Sequence, residues 1–425
     1  MSDLRRTRPV DAVRDGVQVS PRVILLLAIT CGVAVGNVYF PQAISPTVAA
    51  ALDVSPDAAA LTVTAAQFGY AAGIFLLVPL GDRIPHRSLI VTLLGLTGLG
   101  LLAAGAAPGL GPLVGASALI GITTVIAPIA GPLAVGLVAE DRRGAVSGTL
   151  LSGSIGGMLL SRTLGGTVGE WLGWRAPYLI AAALALITAA LLWRVLPRTS
   201  PPSRQRYPAL LAEPLRLLRA EPELRRSCFY QAMVFGGFSA VWTGVALLLT
   251  SSTYGMGARA VGALALVNAA TMLCTPFAGR QTDRRGPDAV NLVSMLGVLA
   301  AAAVLALGGV GGALGMAALV VGTLLLDLGM QSGMVANQVR FYALRPEARS
   351  RLNTAYMTCG YIGGSVGSWT GARAYAAFGW PAVCALVALL TGAALVRHGF
   401  ATRRKHPAVI APALRAVEPG RSAAP

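Results

Sequence analysis

The feature that most constrains this chain is a series of long apolar runs separated by short polar breaks. Twelve runs are long enough to cross a bilayer core as a helix, which takes about 20 residues. They cover residues 22–50, 58–80, 88–107, 111–139, 144–169, 174–196, 225–250, 258–280, 289–308, 312–339, 351–377 and 380–399. Because a backbone in lipid must satisfy its own hydrogen bonds, the sequence predicts an all-α integral membrane protein with twelve transmembrane helices, here called spans 1 to 12.

The positions of the cationic residues predict the orientation of these spans. An even number of spans places both termini on one side, together with almost all of the 34 Lys and Arg residues. Only Arg175, Arg259 and Arg373 fall on the other side, and Arg162 falls within a span. Loops rich in Lys and Arg stay in the cytoplasm, so we expect a multi-pass protein of the plasma (inner) membrane with cytoplasmic N- and C-termini. The net charge of +17 then reflects orientation and contact with the lipid bilayer, and no nucleic-acid partner is expected.

Cofactor and enzyme chemistry find no support in the sequence. The five cysteines lie far apart without metal-ligand spacing, and the three histidines lie in basic flanking segments. The phosphate-binding loop GxxxxGK[ST] is absent, so the sequence contains no motif that would indicate direct use of ATP. We therefore expect no cofactor, no metal site and no enzyme activity.

The chain reads as two copies of one six-span unit. GDRIPHR at 81–87 recurs as GRQTDRRG at 279–286, with the aspartates 201 positions apart, and SIGG at 154–157 recurs as YIGG at 361–364. Such repeats are an architecture of secondary transporters, which place their site between the halves. The predicted organisation is a cytoplasmic arm (1–21), an N-terminal half (22–196), a polar cytoplasmic linker (197–224), a C-terminal half (225–399) and a basic cytoplasmic tail (400–425).

With these features the chain resembles the major facilitator superfamily over nearly its whole length, and it looks most like twelve-span bacterial exporters related to drug:proton antiporters. The resemblance rests on the loop motif G-x-x-x-D-R-x-G-R-[RK]. Its second copy is matched by Gly279, Asp283, Arg284 and Gly286, and its first by Asp82, Arg83 and Arg87. The resemblance implies that this loop latches the two halves on the cytoplasmic side and that spans 1, 4, 7 and 10 line a central cavity. Span 4 departs from the family pattern because it lacks the arginine found there.

Asp327 is the one acidic residue, out of 17, that lies well inside a predicted span. A charge at mid-bilayer costs at least roughly 2.5–3.5 kcal/mol on insertion scales, so Asp327 is expected to face the protein interior or a water-filled cavity. The leading hypothesis is that Asp327 takes up and releases the coupling proton. Two alternatives are a structural carboxylate bound to a neighbouring helix and direct contact with a cationic substrate.

Arg162 is the second charge predicted within the membrane, in span 5. Helical rise places it up to about 10 Å from the depth of Asp327, so a direct pair is not the favoured arrangement. Structural and substrate-binding roles for Arg162 both remain open. The expected substrate cavity comprises Arg162 and further polar or large side chains of spans 1, 2, 7, 10 and 11: Asn37, Tyr39, Gln42, Gln67, Tyr70, Gln231, Trp242, Gln331, Met334 and Tyr356.

Together these features predict a secondary transporter. Aromatic rings, methionines and a few amides suit a moderately hydrophobic small organic molecule. The leading hypothesis is proton-coupled efflux of such a substrate by alternating access, carried out by a monomer. A uniporter or a proton-symport importer on the same fold is the alternative, and a membrane sensor or enzyme is the third reading.

Overall fold

The computed structural model describes residues 20–139, 142–197, 205–345 and 348–403, and helices make up nearly all of these segments. The N-terminal half contains Pro21–Leu52, Pro56–Asp82, His86–Gly105, Leu110–Gly136, Arg143–Leu172 and Arg175–Val195, which are spans 1 to 6. In the C-terminal half, span 7 is Pro222–Thr250, span 10 is Gly312–Tyr342, span 11 is Arg349–Phe378 and span 12 is Trp380–Arg403. Residues 1–19 of the predicted arm and 404–425 of the predicted tail lie outside the described residues.

Spans 8 and 9 differ most from the expected uniform helices. Span 8 starts as Ala258–Asn268, passes through a 3₁₀ turn at Ala269–Cys274 and continues into the helix Thr275–Ala306. Gly286 interrupts that helix with φ 79°, a backbone conformation that favours glycine, and span 9 starts after it. By length and composition, ten of the described helices are apolar enough to cross a membrane. Span 8 falls short because it is broken into pieces, and span 11 is not among the ten although Arg349–Phe378 has 30 residues.

Each half is held together by helix pairs whose backbones approach closely. A Cβ on Gly157 of span 5 would lie 2.1 Å from the Gly32 carbonyl oxygen of span 1. The equivalent pair in the other half is Gly363 of span 11 against Ala232 of span 7, where a Cβ would lie 2.3 Å from the carbonyl oxygen. Small residues permit such contacts in membrane helices, where packing replaces the hydrophobic effect between apolar surfaces. The same pairing in both halves agrees with the internal repeat in the sequence.

The linker contains a helix where the sequence suggested a polar loop. The linker helix, Tyr207–Ala220, buries Leu210, Pro214 and Leu217 on one face. Its first residue donates a hydrogen bond from the Tyr207 hydroxyl to the Leu76 carbonyl oxygen of span 2 at 2.6 Å. A salt bridge of 2.7 Å joins Glu213 to Arg351 of span 11. The helix forms because its apolar face finds a partner on the protein, and it connects to both halves.

Candidate functional site

A cavity of about 470 Å³ lies between the two halves. Spans 1, 2, 4 and 5 form one wall and spans 7, 10 and 11 form the other. Its lining includes the mouth residues Val78, Val135, Ser147, Tyr342 and Ser350, which all lie near the ends of spans on the side that carries residues 20 and 403. We call this side the terminal face. The cavity is therefore open towards the terminal face.

Aromatic side chains form the floor of this cavity. The Tyr39 hydroxyl of span 1 and the Tyr361 hydroxyl of span 11 are hydrogen-bonded at 2.9 Å, which joins the two halves. Tyr70 and Phe235 pack edge-on against the Tyr361 ring, with centroid distances of 4.5 and 5.2 Å. All four residues line the cavity. The ring cluster separates the open cavity from the protein interior beyond it.

Beyond the floor, towards the opposite face, further contacts seal the two halves together. One helical turn past Tyr70, the Gln67 side chain exchanges hydrogen bonds of 2.9 and 3.0 Å with the Ser239 hydroxyl of span 7. Nearer that face, the Thr163 hydroxyl donates to the Gly262 carbonyl oxygen at 2.8 Å. Asp57 and Arg373 form an exposed ion pair of 3.7 Å at the surface. In this conformation the contact between the two halves is closed on the opposite face.

Arg162 lies in the sealed region and is surrounded by aromatic rings. Its guanidinium carbon is 4.5 Å from the centroid of the Trp242 ring, 4.9 Å from that of Tyr39 and 5.8 Å from that of Phe238. Its Nε donates to the Gln42 side-chain oxygen at 2.9 Å. The side chain is fully buried, and neither of its amino groups has a hydrogen-bond partner among the described residues. A guanidinium that is desolvated over rings keeps a cation–π attraction but lacks its full set of acceptors.

Asp327 contacts the same tryptophan as this guanidinium. The Trp242 indole nitrogen donates to Asp327 Oδ1 at 3.3 Å, and Asp327 Oδ2 has no partner within the described part of the chain. Trp242 therefore contacts the cation and the acid at the same time. The two charges come from different halves and lie within range of electrostatic interaction without forming a direct ion pair in the described contacts. The interaction between the two charges depends on how the halves pack together, because Arg162 belongs to span 5 and Asp327 to span 10.

The structure distributes the expected cavity residues among several environments. Tyr39, Tyr70, Gln231, Gln331 and Met334 line the cavity. The others lie behind its walls or floor: Gln42, Arg162 and Trp242 in the sealed cluster, Gln67 in the contact between halves, Asn37 against Thr124, and Tyr356 behind Gln231. Asn353 and Gln338 line the cavity as well. Helical spacing could have predicted Gln338, because Gln331, Met334 and Gln338 share one face of span 10.

The residues of the loop motif occupy the terminal face of both halves. Asp82 is the last residue of the 3₁₀ turn that ends span 2. The Arg87 guanidinium stacks on Trp193 of span 6 at 4.7 Å and donates to the Trp193 carbonyl oxygen. Asp283 and Arg284 are exposed just before the turn at Gly286. Within the described residues, Arg87 thus contacts its own half. The latch role of the motif stays a prediction for this conformation, whose cavity is open at that face.

The sequence did not predict a partly buried ion network on the terminal side of the C-terminal half. Asp288, just after the Gly286 turn, accepts from the guanidinium groups of Arg226 (span 7) and Arg340 (span 10), and Glu223 pairs with both arginines. The two arginines are only 4% and 6% exposed. The sequence does contain opposite charges at the ends of spans 7, 9 and 10. Which of these charges pair is decided only by the packing of the three spans.

Two helical bundles around one cavity, with an internal repeat and close helix pairing, define a membrane carrier with a central pathway. The comparisons with known proteins agree. The family model described as Major Facilitator Superfamily matches residues 25–368. The chain therefore belongs to the major facilitator superfamily, and it is a multi-pass membrane transporter and not an enzyme.

Relatives and solved structures support this membership. The chain is 35% identical over 367 residues to "Uncharacterized transporter YgaY" of Escherichia coli O157:H7, which covers 86% of this chain and 92% of the relative. It is 28% identical over 277 residues to "Chloramphenicol resistance protein" of Streptomyces lividans, covering 62% and 68%. The fold is similar to the crystal structure of a mutant of nucleoside transporter NupG, with a TM-score of 0.69, 14% identity and coverage of 91% of this chain and 99% of that one.

Proposed function

We propose that this transporter exports a small organic molecule from the cytoplasm in exchange for protons, as a monomer in the plasma (inner) membrane. The terminal face is the cytoplasmic face in this proposal, because it carries the Lys- and Arg-rich loops. The cavity is then open to the cytoplasm, and the conformation is inward-facing. Substrate enters from the cytoplasm and leaves on the other side after the halves rock about the cavity.

The observation that carries the proposal is the placement of Asp327. It is a 1% exposed carboxyl group at mid-span, it faces the contact between the halves, and its Oδ2 has no partner in the described residues. A buried acid in a membrane helix is a candidate functional residue, because a charge there is costly and is typically found at functional sites. A purely structural carboxylate would be expected to have both oxygens satisfied.

An aromatic floor separates Asp327 from the cavity, and this separation suits the exchange of substrate for protons. In the inward-facing state the Tyr39–Tyr361 floor stands between Asp327 and the cytoplasm, and Asp327 does not line the cavity. When the seal at the opposite face opens, Asp327 becomes accessible to protons from outside. Protonation removes the attraction between Asp327 and Arg162, which belong to different halves, and so changes the energy of the contact between the halves. The absence of Asp327 from the lining argues against its direct contact with a cationic substrate in this state.

The proposed direction and substrate class rest on two further points. Methionines, aromatic rings and amides line the cavity, which suits a moderately hydrophobic organic molecule. One relative is named as a chloramphenicol resistance protein, and export of an organic antibiotic is a function that such a cavity can serve. Chloramphenicol is therefore a suitable first probe.

The experiment measures accumulation of radiolabelled chloramphenicol in cells that express the wild type, Asp327→Asn or Asp53→Asn. Asp53→Asn is a matched control, because Asp53 is exposed at the end of span 1. The wild type and the control should lower accumulation, and a protonophore should abolish the effect. Asp327→Asn should lose the dependence on the proton gradient. Gradient-dependent export that persists in Asp327→Asn contradicts the coupling role, and gradient-driven accumulation by the wild type would instead identify an importer.

A further inference from the structure

The lining of the cavity carries no formal charge. None of the described residues that form it is Asp, Glu, Lys, Arg or His. During alternating access a ligand is enclosed by these same walls, and an unpaired ion enclosed in this way would lose its hydration without gaining a counter-charge. The cavity therefore disfavours a charged ligand more strongly once it closes.

The two charges in the sealed region beyond the floor are out of reach of a ligand in the cavity. Arg162 and Asp327 are 0% and 1% exposed and lie beyond the floor, with Tyr39 between the guanidinium and the cavity. The tyrosine hydroxyl bond at 2.9 Å closes the direct route past the floor. A ligand held against the floor thus meets only the neutral residues of the lining.

The two walls of the cavity differ in polarity. Every amide in the lining belongs to the C-terminal half: Gln231, Gln331, Gln338 and Asn353. The wall from the N-terminal half is mostly aliphatic, with members such as Ile74, Val135, Leu150 and Ile155. A ligand that satisfies both walls needs one apolar face and one edge that forms hydrogen bonds.

Neighbouring tyrosines fix the direction of two of these amides. The Tyr356 hydroxyl donates to the Gln231 side-chain oxygen at 2.7 Å, and the Tyr342 hydroxyl donates to the Asn353 side-chain oxygen at 3.2 Å. Their oxygens are engaged, and within the described residues the NH₂ groups of these two lining amides have no hydrogen-bond partner, so they are available as donors. Amide NH₂ groups are donors only, so the matching ligand groups are acceptors such as carbonyl, nitro or ether oxygens.

We propose that the ligand of this cavity is an uncharged molecule with an apolar body and acceptor oxygens along the edge that faces Gln231 and Asn353. The proposal rests on the transport function above only in taking this cavity as the substrate site. The direction of transport and the coupling to protons do not enter it.

The test measures binding to the purified full-length protein in detergent, without any gradient. Three probes share one nitrophenyl-propanediol scaffold: chloramphenicol, which is uncharged, its succinate ester, which is an anion, and its deacylated amine, which is a cation. Chloramphenicol should bind at least tenfold more tightly than either charged probe. No binding by chloramphenicol, or binding of a charged probe within twofold of it, would overturn the proposal.

Variants of the amide wall test the acceptor edge. Gln231→Leu and Asn353→Leu should each weaken chloramphenicol binding about fivefold, the factor that one ordinary hydrogen bond supplies. Thr149→Ala, an exposed residue of span 5 outside the cavity lining, should leave it unchanged. Gln231→Glu should bind the deacylated amine at least fivefold more tightly than the wild type does. Unchanged chloramphenicol binding in both leucine variants contradicts the acceptor edge. Because no gradient is present, failure of proton coupling in cells would leave this result standing.

Discussion

Tyr39 of the N-terminal half and Tyr361 of the C-terminal half share a hydroxyl–hydroxyl hydrogen bond of 2.9 Å at the floor of the cavity. Because it joins span 1 to span 11, the bond connects the two halves in the conformation that is closed on the opposite face. Tyr39 also lies under the guanidinium of Arg162 at 4.9 Å, so the floor of the cavity and the buried charge cluster share a residue. We expect that opening of the opposite face breaks this bond.

Loss of the bond should shift the balance between the two conformations. Tyr361→Phe removes the hydroxyl and keeps the ring contacts with Tyr70 and Phe235. A hydrogen bond of about 1 kcal/mol corresponds to a roughly fivefold change in the population ratio, here towards the state open at the opposite face. Electron–electron distance measurements between spin labels at Leu172 and Val310, both 70% exposed, would record the shift. Identical distance distributions in the wild type and the variant would show that the bond does not hold the seal.

Arg162 and Asp327 should depend on each other for stability. Removing one of two buried opposite charges leaves the other uncompensated and destabilises the protein, whereas removing both with volume retained is closer to neutral. We therefore expect Arg162→Met and Asp327→Asn each to lower the thermal midpoint more than the double variant does. Thermal unfolding in detergent at one protein concentration would measure this. Additive losses in the double variant would mean that the two charges are not coupled.

The close contact between Gly32 and Gly157 should leave no room for a side chain at position 157. Gly157→Ala places a Cβ 2.1 Å from a backbone oxygen, and overpacking of this kind costs about 1–3 kcal/mol. Gly156→Ala is the matched control, because nothing lies within 4 Å of its Cβ position. The first variant should lower the thermal midpoint in detergent and the second should leave it unchanged or raise it. Equal midpoints for the two variants would contradict close packing of spans 1 and 5.

Asp288 should matter more for stability than Asp283, although Asp283 is the residue that matches the family motif. Asp288 accepts from two nearly buried arginines, Arg226 and Arg340, while Asp283 is exposed. Asp288→Asn leaves both guanidinium groups short of a charge-assisted partner and should lower the thermal midpoint. Asp283→Asn should leave it close to the wild-type value. A reversed order would indicate that the motif aspartate carries the structural role in the second half.

Much of the architecture followed from the sequence because lipid imposes strict conditions on a chain. Helix length must match bilayer thickness, so hydropathy alone located the spans to within a few residues, for example Gly312–Tyr342 around the predicted 312–339. The repeated loop and glycine motifs revealed the two halves because close helix approach needs small residues at equivalent places. The helix in the linker was missed because its apolar face is short and finds its partner only in three dimensions.

The candidate site was predicted less completely because its residues acquire their roles from neighbours in other spans. Polarity within a span marked Gln67, Gln231 and Asn37 alike. Packing then assigned Gln67 to the contact between halves, Gln231 to the cavity wall and Asn37 to a partner in span 4. Helical spacing shows which residues share a face, but it does not show which helix that face meets.

Asp327 illustrates what the sequence determined and what depended on the tertiary structure. The sequence alone placed this acid near the middle of span 10 and predicted that a lone charge there avoids lipid, because the cost of exposing it to lipid is independent of the fold. Tertiary packing decided that Trp242 binds it, that Arg162 approaches from the other half and that an aromatic floor separates it from the cavity. Those relationships depend on how two helical bundles meet across a shared surface, and side-chain geometry between bundles is not encoded in the pattern of any single span.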